Sequence, residues 1–249
     1  MGIINDSHGE VCRTCISTGA IKRNDCVTCL LPDLRAVSEY RCPRCSIPTE
    51  RGQLCNQCIR ASLFKEPRFK NGLTAISYNR KHTDFSFALH AYKGSKIPER
   101  PWMVTPIRYL WETYLNRHMS CIQHKFGPIE AIIPIPGNAE KILDKQSYLG
   151  IPVCRCLDDH RTGPGFSHGG IREYDPNRFT INLKPFNFQS IILFDDVYTK
   201  GVTSLSAACA LNRAGVSTII PVVIARQILS SHEETVEANF FDIGRCCNC

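Results

Sequence analysis

Eight cysteines fall into four Cys-x-x-Cys pairs before residue 60: Cys12/Cys15, Cys26/Cys29, Cys42/Cys45 and Cys55/Cys58. Such a turn points two thiolates at one point, and a second turn returned by a short hairpin completes a tetrahedral four-sulfur site suited to zinc. Ten residues separate Cys15 from Cys26 and nine separate Cys45 from Cys55. The spacing therefore predicts two consecutive ribbons, one of Cys12, Cys15, Cys26 and Cys29, the other of Cys42, Cys45, Cys55 and Cys58. Interleaved pairing is the other arrangement the spacing allows, and disulfides are the alternative chemistry. The N-terminus has no basic head followed by an apolar stretch, so no export signal is expected, and a reducing, cytoplasmic setting favours metal. Neither ribbon has a spare coordination position, so both zinc sites are expected to be structural, and a segment this short of apolar core would need metal to fold. Cys121, Cys154, Cys156 and Cys209 read as single buried thiols, while Cys246, Cys247 and Cys249 are given no role.

A second constellation lies far from the cysteines, in Phe194-Asp195-Asp196-Val197-Tyr198-Thr199-Lys200-Gly201-Val202-Thr203-Ser204. Two carboxylates at the tip of a buried strand are costly to desolvate unless something binds them. Adjacent hydroxyls of a ribose, with or without Mg2+, would do so. The following turn leads into a helix, so its N–H groups, the Thr199 and Thr203 hydroxyls and the helix N-terminus can cradle a phosphate. Gly201 allows close backbone approach. Together these features predict a ribose 5-phosphate site; the plainer alternative is an acidic strand end with a helix cap.

The elements needed to position these groups can be read from the same chain. Ala131-Ile132-Ile133-Pro134-Ile135, Ile191-Ile192-Leu193-Phe194 and Thr218–Ile224 are apolar runs expected to be buried strands, and Leu73–Tyr78 looks like another. Thr83 is expected to cap a helix carrying Phe85, Ala88, Leu89 and Tyr92, closed by Gly94. Thr105 and Pro106 are expected to open a longer helix with Ile107, Leu110, Trp111, Tyr114 and Leu115 at helical spacing, and Ser204–Ala214 is amphipathic. Strands alternating with helices predict an α/β fold, a parallel sheet covered on both faces with ligands beyond its carboxyl edge.

Across 249 residues the composition is 43% hydrophobic and 21% charged, which is globular rather than disordered. No apolar run approaches a membrane span. The net charge of +7 is uneven: residues 67–125 carry ten Lys/Arg against three Asp/Glu, whereas 126–249 carry eleven against thirteen. This basic segment interleaves aromatic rings with Lys70, Arg80, Lys81, Lys93 and Lys96, a composition suited to single-stranded nucleic acid. A solvated face over ordinary core aromatics reads the same way.

The run at 191–203 resembles the phosphoribosyl pyrophosphate (PRPP) signature of type I phosphoribosyltransferases: four apolar residues, two acids, an apolar residue, then Thr-x-Gly-x-Thr. The commoner form has Thr where this chain has Lys200. The resemblance implies that Asp195 and Asp196 hold the ribose hydroxyls and that Thr199, Lys200, Gly201, Val202 and Thr203 hold the 5-phosphate. It also places Pro136, Gly137 and Asn138 in the pyrophosphate loop. The order of paired Cys-x-x-Cys turns, Tyr78, Leu89 and Lys93-Gly94, then Pro134-Ile135-Pro136, then the PRPP loop resembles the ComF family of competence-associated proteins, which includes GntX-like members. That resemblance implies a double zinc-ribbon domain at 1–66 and a phosphoribosyltransferase-like domain at 67–249, made of the basic segment 67–125 and a PRPP-loop core at 126–249. It further implies a protein that binds PRPP or a related nucleotide with Mg2+ and acts in single-stranded DNA handling or uptake, with a helicase-type competence partner. A working phosphoribosyltransferase, passing phosphoribosyl to a base or amine, is the first alternative. A non-catalytic adaptor is the second. The chain departs from the family after the pyrophosphate loop, where 145–153 replaces an Arg-Gly-Phe-Asn-Gln stretch, and at the Gly-rich segment 161–179, read as a surface loop rather than a lid.

Overall fold

The computed structural model describes residues 42–45, 47, 49, 53–55, 58–59, 69, 71–79, 84–94, 98–160 and 174–228. In chain order the elements are β1 (Thr74–Asn79), α1 (Asp84–Ala91), a 3-10 turn (Pro101–Met103), α2 (Val104–Phe126), β2 (Ala131–Pro134), α3 (Asn138–Ile142), β3 (Ser147–Tyr148), β4 (Ile151–Pro152), β5 (Leu157–Asp159), β6 (Phe179–Ile181), β7 (Ser190–Tyr198), α4 (Val202–Arg213) and β8 (Thr218–Gln227).

Four strands form a wholly parallel sheet in the order β1-β8-β7-β2. A parallel bridge from Ile132 to Val153 begins a further row beyond β2. The centres of β2, β7 and β8 are apolar because both faces are covered. Ile132, Ile192, Phe194, Ile220 and Val222 pack with α1, α2 and α3 on one side. Ile133, Leu193, Ile219 and Val223 pack with α4 on the other. Trp111 of α2 is fully buried against Phe194, ring centroids 4.5 Å apart. The expected α/β architecture with a buried parallel sheet is thus present.

Some boundaries differ from expectation. Helix α2 starts at Val104 behind the 3-10 turn, so Met103 is its N-cap and Thr105 lies within its first turn, with no side-chain cap. The 3-10 turn continues directly into the helix and leaves no extended residue for Thr105 to occupy. The Thr83 cap lies outside the described residues. Strand β7 runs to Tyr198, so Asp195 and Asp196 sit inside the ladder rather than at its tip. Of the four cysteines read as buried, only Cys156 is; Cys121, Cys154 and Cys209 are half-buried.

The segment carrying the second cysteine set packs into the same core. Cys42, Cys45, Ile47, Cys55, Cys58 and Phe69 share a cluster with Leu73, Ala75, Tyr78 and Tyr198 on the α4 side of the sheet. Gly72 makes this approach possible. Its φ is +75°, and a Cβ there would lie 2.4 Å from the Pro43 carbonyl oxygen.

Candidate functional site

Parallel register brings the groups expected to do chemistry to one edge. Pro134 of β2 pairs with Phe194 of β7, and Ile135 N–H donates to the Phe194 carbonyl at 2.9 Å. Pro136, Gly137 and Asn138 therefore leave the sheet beside Asp195 and Asp196, at its carboxyl edge. Gly137 is left-handed in φ (+106°) with open space around it, and its N–H donates to Glu140 Oε2 at 3.1 Å.

Successive residues of a strand point to opposite faces, and the two acids do so. Asp195 turns toward α4, where Ser204 Oγ donates to its Oδ2 at 2.8 Å, while its Oδ1 accepts the Asp196 N–H at 2.8 Å. Asp196 turns toward α1. There Lys93 Nζ lies 2.6 Å from Oδ2, the Tyr92 hydroxyl donates to the same oxygen, and the Val197 N–H donates to Oδ1 at 2.6 Å. Only 9% of Asp195 and 6% of Asp196 is exposed.

These surroundings split the two carboxyls. Burial pushes Asp195 up to about 7, helped by the neighbouring Asp196 charge and opposed by Ser204, Lys93 and the Asp196 N–H. Burial also disfavours the Asp196 charge, but Lys93, Tyr92 and the Val197 N–H outweigh it and hold this carboxyl below its ordinary value. Burial and the Asp196 charge push the Tyr92 hydroxyl upward. One carboxylate is thus held ionised by a lysine, and the other sits near its protonation midpoint at neutral pH. For Asp196 the desolvation cost that the sequence assigns to an external ligand is offset within the chain, whereas for Asp195 it is offset only in part.

Beyond Tyr198 the chain turns through exposed Thr199 and Lys200 into Gly201, the N-cap of α4, at φ 80° and ψ 6°. A Cβ on Gly201 would lie 2.0 Å from the Tyr198 hydroxyl oxygen, so the close approach is to that ring. Gly201 brings no side-chain cap to α4, and the first N–H groups of a helix suit water or an anion. Thr203 Oγ1 accepts from Arg178 Nη1 at 2.8 Å. Arg178 Nε in turn donates to both Asp159 oxygens, at 3.0 and 3.1 Å.

Four cysteines meet elsewhere on this side of the sheet. The sulfurs of Cys42, Cys45, Cys55 and Cys58 all lie within 4.8 Å of one another, with Cys45 and Cys55 3.6 Å apart. Zinc–sulfur bonds of about 2.3 Å require sulfur–sulfur edges of about 3.8 Å in a tetrahedron. The cluster fits a zinc ion and all four residues are buried, so it can hold one in a structural role. The set is the one expected from sequential spacing. Cys12, Cys15, Cys26 and Cys29 lie outside the described residues, as do Lys70, Arg80, Lys81 and Lys96. Lys93 is described, and its charge is engaged with Asp196.

Sequence reasoning missed Tyr92 and Ser204 as carboxylate partners, the Arg178–Asp159 pair behind Thr203, and Arg226. The last carried a signal: it is a lone cation following the apolar run from Ile219 to Ala225. No family model, curated protein or solved structure matches the chain.

Proposed function

We propose that the carboxyl edge of β2 and β7 binds a ribose 5-phosphate ligand of the PRPP class. The observation that carries this reading is the placement of two buried acids and an uncapped helix N-terminus on one strand–loop–helix unit, beside the Pro136–Asn138 loop. The 5-phosphate would accept from the first N–H groups of α4 and from the Thr199 hydroxyl, near Lys200. The ribose hydroxyls would donate to Asp195 or Asp196. Every carboxylate oxygen already has a partner, so a ribose must share or displace Lys93 or Ser204. Mg2+ would enter with the ligand's diphosphate and neutralise part of its charge.

The chain's own residues suit binding and orientation. Lys93 is held 2.6 Å from Asp196. Once released from that pair it would be a cation within reach of a diphosphate. The resemblance to the ComF family supports PRPP over other sugar phosphates and supports a role in handling single-stranded DNA. The DNA role rests on cations outside the described residues together with Lys93. Phosphoribosyl transfer would require an acceptor in addition to these groups.

The test is calorimetric titration of the zinc-loaded protein with PRPP and Mg2+, beside an Asp195→Asn/Asp196→Asn double variant. Saturable binding by the native chain that is lost in the variant supports the site. Equal heats in both proteins refute it.

A further inference from the structure

Among the described residues, Arg226 is the only cation in the set of largest fully buried side chains, with 1% of its surface exposed. Its described hydrogen-bond partners are all main-chain carbonyls. Nε donates to Cys45 at 3.1 Å, while Nη1 donates to Tyr198 at 3.0 Å, Thr199 at 2.7 Å and Gln227 at 2.8 Å. The guanidinium also lies 5.1 Å from the Tyr198 ring centroid, within cation–π range. One side chain at the end of β8 thus ties a metal-ligand turn to the residues that open the loop into α4.

An isolated buried cation is expensive, and carbonyl dipoles alone offset it only in part. The four-cysteine cluster supplies what is missing. Four thiolates around one Zn2+ carry a formal charge of −2, and Arg226 touches the backbone of one of the four ligands. The net negative charge of a metal–thiolate cluster and the guanidinium would therefore stabilise one another. The fork of Arg226 holds its acceptors in fixed relative positions, as a lysine would not.

We propose that Arg226 is a positioning residue that couples metal occupancy at Cys42, Cys45, Cys55 and Cys58 to the order of the Tyr198–Gly201 loop. With metal bound, the Cys45 carbonyl is fixed and Arg226 clamps Tyr198 and Thr199. With metal lost, the turn relaxes, the guanidinium is left uncompensated, and the start of α4 frays. The coupling depends on the cysteine cluster and the loop, not on which ligand the loop takes.

Hydrogen exchange on the zinc-loaded 249-residue chain tests this. Amides from Thr199 to Leu205 are followed against internal standards in β7 and α2. Loss of the cluster's metal through Cys42→Ser/Cys55→Ser is expected to speed exchange at Thr199–Leu205 at least tenfold, with the α2 amides unchanged. Cys12→Ser/Cys26→Ser should leave Thr199–Leu205 as in the native chain. Arg226→Gln should show fast exchange there even when metal-loaded and no further response to metal loss, and Arg226→Lys should fall between. If Arg226→Gln fails to fold, the native chain, the cysteine variants and Arg226→Lys still decide the matter. Unchanged loop exchange after metal loss at this cluster overturns the proposal. So does an Arg226→Lys or Arg226→Gln protein whose loop responds to metal as the native chain does.

Discussion

Asp195 offers a stability test that needs no ligand. Its carboxyl is raised from 3.8 to about 7, first by burial and then by the Asp196 charge. A carboxyl with a raised folded value keeps its proton in the native state while the unfolded chain has released it. Folding stability therefore falls as pH rises from near 4 to near 7, then levels off. At about 1.36 kcal/mol per unit, the full penalty above neutrality is about 4 kcal/mol. Asparagine at this position keeps both contacts, with its oxygen accepting the Asp196 N–H and its amide donating to Ser204 Oγ, and carries no charge. Urea unfolding of native and Asp195→Asn chains, both zinc-saturated, should show the variant gaining roughly 3 kcal/mol on the native chain between about pH 5 and about pH 8. Taking the difference between two proteins cancels the metal site's own pH dependence. A difference that stays constant across that range, or shrinks as pH rises, refutes the assignment of Asp195 as the strained carboxyl.

Three other perturbations follow from the same contacts. Lys93→Met leaves the buried Asp196 carboxylate without its cation and should destabilise by about 3–5 kcal/mol in urea unfolding, with most of the loss recovered in Lys93→Met/Asp196→Asn. Gly201→Ala combines a left-handed backbone with contact on the Tyr198 ring and should cost about 2 kcal/mol or more, a loss that Tyr198→Ala reduces if the ring is the obstacle. The buried indole N–H of Trp111 has no acceptor among the described residues. Trp111→Phe should therefore cost under about 1.5 kcal/mol, whereas Trp111→Ala should cost about 3–5 kcal/mol, both read from denaturant midpoints.

The sheet was legible because strands buried on both faces carry apolar runs at their centres. The runs at Ala131–Ile135, Ile191–Phe194 and Thr218–Ile224 all became neighbouring parallel strands. The second cysteine set was legible because Cys-x-x-Cys spacing leaves few ways to converge four sulfurs. Partner choice was not legible. Lys93 reads as one cation among many in a basic segment, and only the packing of α1 over β7 brings it to Asp196, 103 residues later in the chain. Strand ends were also hidden. Strict alternation would send Tyr198 to the α2 side with Phe194, yet Val197 packs on that side and Tyr198 on the other. That slip sends Tyr198 to the side of the cysteine cluster. Thr105 shows the limit of capping rules, since a 3-10 turn upstream moved the helix start.

The proposed site seats a 5-phosphate on the start of α4. Phosphorus NMR of PRPP with Mg2+, titrated with zinc-loaded protein, addresses it directly because the 5-phosphate and diphosphate resonances are separate. The native chain is expected to shift or broaden the 5-phosphate line, and Gly201→Val, which obstructs the loop, to abolish the effect. A 5-phosphate line that stays sharp and unshifted at saturating protein, or one that Gly201→Val perturbs just as strongly, contradicts it.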